Sequence, residues 1–254
     1  MLTIIAPNKN RLDPKNPSTQ FFIKSLQWQD YKKFNIIIID GGSNNYNEVK
    51  DYLESFKEIP IKLIQYKIGE QWHKTLLNNI AIKQSNTDYI ATTDCDIIFD
   101  RRFVSTVVPL LKKDRMIESR TMYLKNEMVA RIYSGELDPY NNIDSCKLGR
   151  IKKRTTPGGF QCLHKDQWHK IQGYNEEEII GWGSEDLELI ERVKLAGINI
   201  HWLGEDNFGK DIMLFHQPHP KNIQEELKTQ EKNKVVLNNV KHYMANKNGW
   251  GKIL

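Results

Sequence analysis

Cysteine is scarce in this sequence: Cys95, Cys146 and Cys162 are the only three in 254 residues, an odd number at spacings that match no metal-site pattern. A disulfide framework is thereby excluded, and the expectation is reduced, packed thiols. Long apolar runs are also missing, so no stretch approaches the roughly 20 residues that a membrane-spanning helix needs. No basic segment followed by an apolar stretch and a small-residue cleavage site opens the chain. The expected location is therefore cytoplasmic, with peripheral contact at the inner face of a membrane left open. Neither G-x-G-x-x-G nor a P-loop follows the first strand, which removes the phosphate cradle of dinucleotide enzymes and ATPases. There is no internal repeat and no low-complexity linker. Lysine and arginine outnumber acidic residues 37 to 32, a net charge of +5. They are scattered rather than interleaved with aromatics, which disfavours a nucleic-acid-binding module. The denser patch at Arg150, Lys152, Lys153 and Arg154 reads either as solvated surface or as a grip on an anionic acceptor.

What is present is enough apolar material for a core, 39% hydrophobic with 10% aromatic residues. Its first hundred residues alternate strand and helix patterns. Strands are predicted at Leu2 to Ala6, Ile36 to Ile39, Ile61 to Tyr66 and Tyr89 to Thr93, and helices at Ser18 to Lys33, Asn47 to Phe56 and Gln71 to Lys83. That rhythm is the signature of an α/β fold with a mostly parallel central sheet flanked by helices. Further on, the patterns predict helices at Arg101 to Lys112, Lys165 to Ile171 and Glu185 to Ala196, the last with Leu187, Ile190 and Val193 facing inward. Strands are expected at Met116 to Leu124, Val129 to Tyr133, Phe160 to Leu163, Ile198 to Leu203 and Ile212 to Phe215. Gly135 to Thr156 reads as a polar loop, and Asn222 to Met244 as a long helical tail packed along the domain, its lysines a solvated face. The expected organisation is one domain over residues 1–220, with a nucleotide-binding half (1–100) and an acceptor-binding half (101–220), followed by a helical extension over 221–254.

In parallel sheets ligands collect at the carboxyl ends of strands. There the sequence carries Pro7-Asn8-Lys9-Asn10-Arg11, then Asp40-Gly41-Gly42-Ser43, then Asp94-Cys95-Asp96. Two aspartates one residue apart at a strand end suit a hard divalent cation that neutralises a diphosphate, although such a triplet also occurs in turns. Asp40 with its glycines is equally a turn composition. Gly181-Trp182-Gly183-Ser184-Glu185-Asp186 sets an indole and two carboxylates at a loop-to-helix edge, with Ser184 placed to cap the helix. An aspartate so placed is expected to stay ionised near neutral pH, and acidic residues in a first helical turn also simply complement the dipole. Trp72 fits ordinary helix packing as well as stacking. His216 and His219 are rival metal ligands.

Taken in order, these segments resemble the nucleotide-sugar glycosyltransferases of the GT-A fold, in particular the β-1,4-galactosyltransferase group and related bacterial polysaccharide enzymes. The resemblance covers roughly residues 1 to 220. Pro7 to Arg11 is similar to the group's P-F-R-N-R segment and Trp72-His73-Lys74 with Asn79 to its F-N-R…N segment. Asp94-Cys95-Asp96 is similar to its D-x-D, and Gly158-Gly159-Phe160 with Gly173-Tyr174 to the segment leading into G-W-G-G-E-D. Met213-Leu214-Phe215-His216 is similar to its M-x-x-H. Lysines stand for arginines at positions 9 and 74, Trp72 for a phenylalanine and Ser184 for a glycine.

The resemblance implies Asp186 as general base, and Trp182, Gly183 and Glu185 at the acceptor. It implies Pro7, Lys9, Arg11, Asp40, Trp72, Lys74, Asn79, Asp94 and Gly159 at a UDP-sugar donor. Asp96 and His216, joined by Asp94 and Met213, are implied to hold Mn2+ or Mg2+. The implied activity is an inverting, metal-dependent transfer of a hexose or N-acetylhexosamine from the UDP-sugar to a saccharide or glycolipid acceptor, in surface polysaccharide or glycan synthesis. The alternatives are a retaining enzyme of the polypeptide GalNAc-transferase type and a protein that binds sugar or nucleic acid without catalysis. The retaining group has asparagine at the position of Asp186 and histidine at that of Asp96.

Overall fold

The protein is described here from a computed structural model, over residues 1–136, 150–203, 214–218 and 223–252. Its first half runs β1 (Leu2–Asn8), α1 (Pro17–Gln27), β2 (Phe34–Asp40), α2 (Tyr46–Glu54), β3 (Ile61–Gln65), α3 (Lys74–Gln84) and β4 (Tyr89–Thr92). β5 (Ile97–Phe99), α4 (Phe103–Val107), a short 3-10 turn, β6 (Arg115–Leu124) and α5 (Asn126–Tyr133) follow. The chain then forms β7 (Arg150–His164), α6 (Lys165–Ile171), α7 (Glu185–Leu195), β8 (Asn199–Leu203), β9 (Leu214–His216) and α8 (Ile223–Asn238).

All of these strands join one sheet in the order β3-β2-β1-β4-β7-β6-β9-β5, with β8 also on β6. The four strands of the βαβ rhythm pair in parallel. β7 then runs antiparallel between β4 and β6. One edge of β6 is shared in parallel by β8, along Arg115–Ser119, and by β9, at Met122 and Tyr123. The α/β fold expected from the sequence is present, with its parallel half first and a mixed half after it.

Because strand side chains alternate between faces, the strands of the parallel half feed two cores, and Ile98, Met122, Leu124 and Phe215 of the later strands form a third with α5. Leu2, Ile4, Ala6, Ile36 and Ile38 face α1, α2 and α4. Ile5, Ile37 and Ile39 face α3, α6, α7 and the C-terminal Trp250.

Several local expectations change. Val129 to Tyr133 is helix: Met128, Val129 and Ile132 are buried at helical spacing, and the β-branched residues had suggested a strand. Pro109 breaks the expected Arg101–Lys112 helix into α4 and the 3-10 turn. α1 starts at Pro17, capped by the Asn16 side chain, and stops at Gln27. Leu187 is 44% exposed rather than inward. β5, three residues long and paired antiparallel with β9, carried no periodic signal. Arg150 to Thr156, expected as loop, is the start of β7.

The expected C-terminal helix ends at Asn238, and the following chain straps across the domain. Asn246 donates to Gln172 O (2.7 Å) and Tyr174 O (2.6 Å), while its Oδ1 accepts from Glu176 N (2.9 Å). Trp250 is buried beside Lys83, whose ammonium lies 4.8 Å from the ring centre. Trp250→Ala should lower unfolding stability by about 3 kcal/mol at unchanged m-value in urea. A loss below about 1 kcal/mol would mean that the strap is not part of the core.

Candidate active site

The loop after β1 is wound by its own asparagines. The Oδ1 of Asn8, fully buried, accepts from Arg11 N (3.0 Å) and Leu12 N (2.9 Å). Its Nδ2 donates to Asp40 (2.6 Å). Asp40 is itself buried and also takes the N–H groups of Gly42 and Ser43 at 2.9 and 2.7 Å. Asp40 therefore ties the ends of β1 and β2 together from behind the loop, and the loop presents Pro7, Lys9, Asn10 and Arg11. With Trp72, Asp94, Cys95, Asp96 and Trp182 they line a cavity of about 190 Å³. Lys9 is steadied by the carbonyls of Gly69 (2.5 Å) and Glu70 (3.2 Å).

A second cavity of about 250 Å³ shares Asp94 and Trp182 with the first, so the two form adjoining compartments of one cleft. Its walls include Lys74, Gly158, Gly159, Gly183, Glu185, Asp186, His216, Thr121 and Tyr123. Asn79 lies outside both compartments. It brackets the 174–176 turn, accepting from Tyr174 N (2.7 Å) and donating to Tyr174 O (2.9 Å) and Glu176 (2.6 Å).

Between the compartments lies a buried charge cluster. Lys74, 5% exposed at the first turn of α3, reaches Asp94 at 2.9 Å, Glu185 at 3.1 Å and Asp186 at 3.8 Å. Burial alone would depress an ammonium, but the carboxylates of Asp186, Asp94 and Glu185 outweigh it and hold Lys74 well above the usual lysine range. Lys74 therefore stays charged, and its partners here are acids.

One cation does not balance three carboxylates, and Asp186, the furthest from the ammonium, bears the deficit. Burial, with Glu185 and Asp94 as like-charged neighbours, pushes its pKa up to about 8 despite the opposing pull of Lys74. The expectation that Asp186 stays ionised near neutral pH is thus corrected. The helix N-terminus favours the anion, but desolvation beside two other acids costs more. Its side chain is 21% exposed, so it still faces the cleft.

Asp186 fits only because residue 158 has no side chain. Gly158 has φ of +90°, and a Cβ there would run into the Asp186 carboxylate. The Gly158 N–H donates to Glu118 at 2.6 Å. Glu118 is fully buried and also accepts from Gln161 Nε2 (2.8 Å), and burial raises its carboxyl well above the usual range. Ser184 begins α7 at φ of +71° without the expected side-chain cap. A residue with a Cβ there stores strain at the loop-to-helix edge.

In the wall of the same compartment, His216 Nε2 lies 3.5 Å from Asp96 Oδ1, and Tyr123 packs on the imidazole at 4.4 Å between ring centres. Arg11 stands over Trp182 at 5.6 Å from the ring centre. Among the described residues no group of three or more His, Cys, Asp or Glu gathers to hold an ion. Asp94 is turned to Lys74. Met213 and His219, expected as a ligand and as a rival ligand, lie outside the described residues, as does Cys146; Cys95 and Cys162 are buried free thiols. One carboxylate with one imidazole still suits Mn2+ or Mg2+, ions that take one or two protein ligands and fill the rest of their shell from phosphates and water.

The sequence patterns did not single out Asn8, Glu118, Thr121, Tyr123 or Gln230. Asn8 alone had a local cue, lying at a strand end where a buried asparagine winds a turn.

A carboxyl whose folded-state pKa exceeds its unfolded value near 3.8 favours folding at low pH. That contribution is lost as pH rises from about 4 to about 8. Asp186→Asn should therefore melt higher than the native protein in chelator-treated buffer, with a gap that is small at pH 4.5 and widest at pH 8. A gap independent of pH would refute the buried, proton-retaining carboxyl.

Residues 3–164, more than half of the chain, match the profile described as glycosyl transferase family 2. Residues 139–217 match the N-terminal domain of galactosyltransferase. The chain is 21% identical over 251 residues to chondroitin synthase of Escherichia coli, covering 86% of this chain and 35% of that protein. It thus spans about a third of the length of that curated relative. Among solved structures it is similar to S. aureus TarS 1-349 in complex with UDP, with a TM-score of 0.57, 14% identity, and coverage of 90% of this chain and 63% of that one. It is also similar to the mannosyltransferase PcManGT from Pyrobaculum calidifontis in complex with GDP-Man and Mn2+, with a TM-score of 0.60, 13% identity, and coverage of 95% and 65%. At these identities the structural likeness shows the fold, which is GT-A, and the profile match shows the family. The chain belongs to glycosyl transferase family 2.

Proposed function

We propose that this chain transfers a hexose or N-acetylhexosamine from a UDP-sugar to a saccharide or glycolipid acceptor, with inversion at the anomeric carbon, in the synthesis of a surface polysaccharide or glycan. The observation that carries this reading is the pair of compartments sharing Asp94 and Trp182. One is walled by the cationic Lys9–Arg11 loop and Trp72, and the other by the Glu185–Asp186 acids. A cationic loop beside an aromatic ring suits a nucleoside diphosphate, and an indole beside a carboxylate suits a sugar. The relatives support the donor class: TarS has been crystallised with UDP and with UDP-GlcNAc, and PcManGT with GDP-Man.

In this reading Lys9 and Arg11 neutralise the diphosphate, and Trp72 gives the base a flat surface. A divalent cation held by Asp96 and His216 would supply further positive charge toward the leaving diphosphate. Trp182 and Glu185 orient the acceptor, and Asp186 takes the proton from its hydroxyl as that oxygen bonds to the anomeric carbon. The bond from that carbon to the diphosphate oxygen breaks, and the nucleoside diphosphate leaves with the electron pair. Lys74 keeps Asp94, Glu185 and Asp186 together. It also lowers the affinity of Asp186 for its proton, so that the base is partly ionised at neutral pH. Residues 1–220 form the transfer domain in this scheme and 221–254 an extension of it. Among the described residues no helix is long and apolar enough to cross a membrane. The acceptor is therefore proposed to be reached from solution or at a membrane surface.

Asp186→Asn should reduce transfer by about a thousandfold and leave the Kd for UDP with Mn2+ within about twofold. For the native protein, kcat/KM should climb from pH 6 and level off above a pH of about 8, because the base acts only after losing its proton. Substantial transfer by the variant, or a rate falling across that range, would remove Asp186 from the role.

A further inference from the structure

α8 follows the last residue matched by either family profile, at position 217, and its sequence reads as a helical tail packed along the domain with its lysines as a solvated face. Three of its side chains meet the Ile180–Gly183 loop. Thr229 Oγ1 accepts from Trp182 N at 3.1 Å and lies 3.3 Å from Trp182 O, spanning both polar groups of that residue's backbone. Asn233, 1% exposed, directs its amide nitrogen at Ile180 O (3.2 Å), Trp182 O (3.2 Å) and Gly183 O (2.9 Å).

The two glycines of the loop are where α8 comes closest. Gly181 has φ of +80°, and a Cβ there would run into the Thr229 side chain; at Gly183, φ of +89°, it would press on Gln230. Gln230 is exposed on its own helix and lines the 250 Å³ compartment alongside Trp182, Gly183, Ser184, Glu185 and Asp186. From the opposite side, Gly181 N donates to Trp72 O at 3.0 Å. The Trp182 loop is thus held between the donor-side Trp72 and the C-terminal helix, and neither its own sequence nor α7 supplies those bonds.

We propose that α8 is a working part of the acceptor site: Thr229 and Asn233 are positioning residues that fix the Ile180–Gly183 loop, and Gln230 is a specificity-determining contact for the hydroxyl groups of the acceptor sugar. This rests on the glycosyltransferase reading. The Asn233 amide shares its two N–H groups among three loop carbonyls that all converge on it, and a convergence of that kind selects one loop conformation out of many. An amide side chain at the cavity wall can donate to and accept from a sugar hydroxyl. A site that hydrogen-bonds a hydroxyl rejects analogues that lack or invert it.

Asn233→Asp keeps the shape but faces three carbonyls with an acceptor. Gln230→Ala changes only an exposed side chain. Amide hydrogen exchange over residues 181–184 is measured for the native protein and Asn233→Asp. Transfer from UDP-sugars to a panel of p-nitrophenyl hexosides, and binding of UDP with Mn2+, are measured for both variants. Asn233→Asp should speed exchange across the loop by about tenfold and cut kcat/KM for the glycoside by a similar factor, with UDP affinity within about twofold of native. Gln230→Ala should leave UDP affinity and melting temperature at native values and reorder the preferred glycosides by about fivefold in kcat/KM. Native exchange in Asn233→Asp together with an unchanged glycoside order in Gln230→Ala would overturn the proposal. Failure of the native protein to bind UDP would instead overturn the glycosyltransferase reading, while the exchange comparison would still decide whether α8 holds the loop.

Discussion

The structure depends on a single buried ammonium. Lys74 stands at the start of α3, yet its three partners come from the end of β4 and the start of α7, elements separated by about ninety residues of chain. An unpaired charge so deep would be prohibitive, and three carboxylates so close would repel one another strongly. Each half of the cluster makes the other tolerable, which ties the aspartates after β4 to the acid pair of α7. The imbalance of one cation against three acids is then expressed at the least neutralised position, as the raised pKa of Asp186.

Close approach is the second constraint. The carboxyl of Asp186 occupies the place where residue 158 would carry a side chain, and Thr229 does the same at residue 181. Both glycines also adopt positive φ, so the missing Cβ serves conformation and contact together. Behind Gly158 the strand pair β6 and β7 supplies Glu118 and Gln161, a buried polar couple that holds the turn in place. The site is therefore tied by buried hydrogen bonds at its back and strained at Ser184 on its front edge. A strained, charge-crowded edge stores free energy that a folded protein otherwise sheds, and such edges concentrate where chemistry is done.

The family relationship and this geometry meet in the cleft. Membership of glycosyl transferase family 2 accounts for the parallel half of the sheet and the placement of polar segments at its carboxyl edge. The mixed half belongs to this chain's later residues, where β7 returns antiparallel to β4 and brings Gly158 and Gly159 up to the aspartate-bearing end of that strand. Because β6 divides one edge between β8 and β9, His216 comes back to the same end of the sheet as Asp96.

The periodicity of Leu2 to Thr93 determined the first four strands and the helices between them. Alternating apolar runs and amphipathic segments have few other ways to bury their surface. The motifs likewise singled out Asp94, Asp96, Trp182, Glu185, Asp186 and His216 as candidates, through the resemblance they carry and their place at strand and helix ends. Short or split elements were not legible: β5 has three residues, and the 126–133 helix carries β-branched residues whose burial pattern only packing reveals. The pairing of Lys74 with acids, the raised pKa of Asp186 and the reach of α8 to the Ile180–Gly183 loop were decided by tertiary structure alone. Each is a property of residues distant in sequence, set by which charges share one desolvated volume and which backbones come close enough to need a glycine.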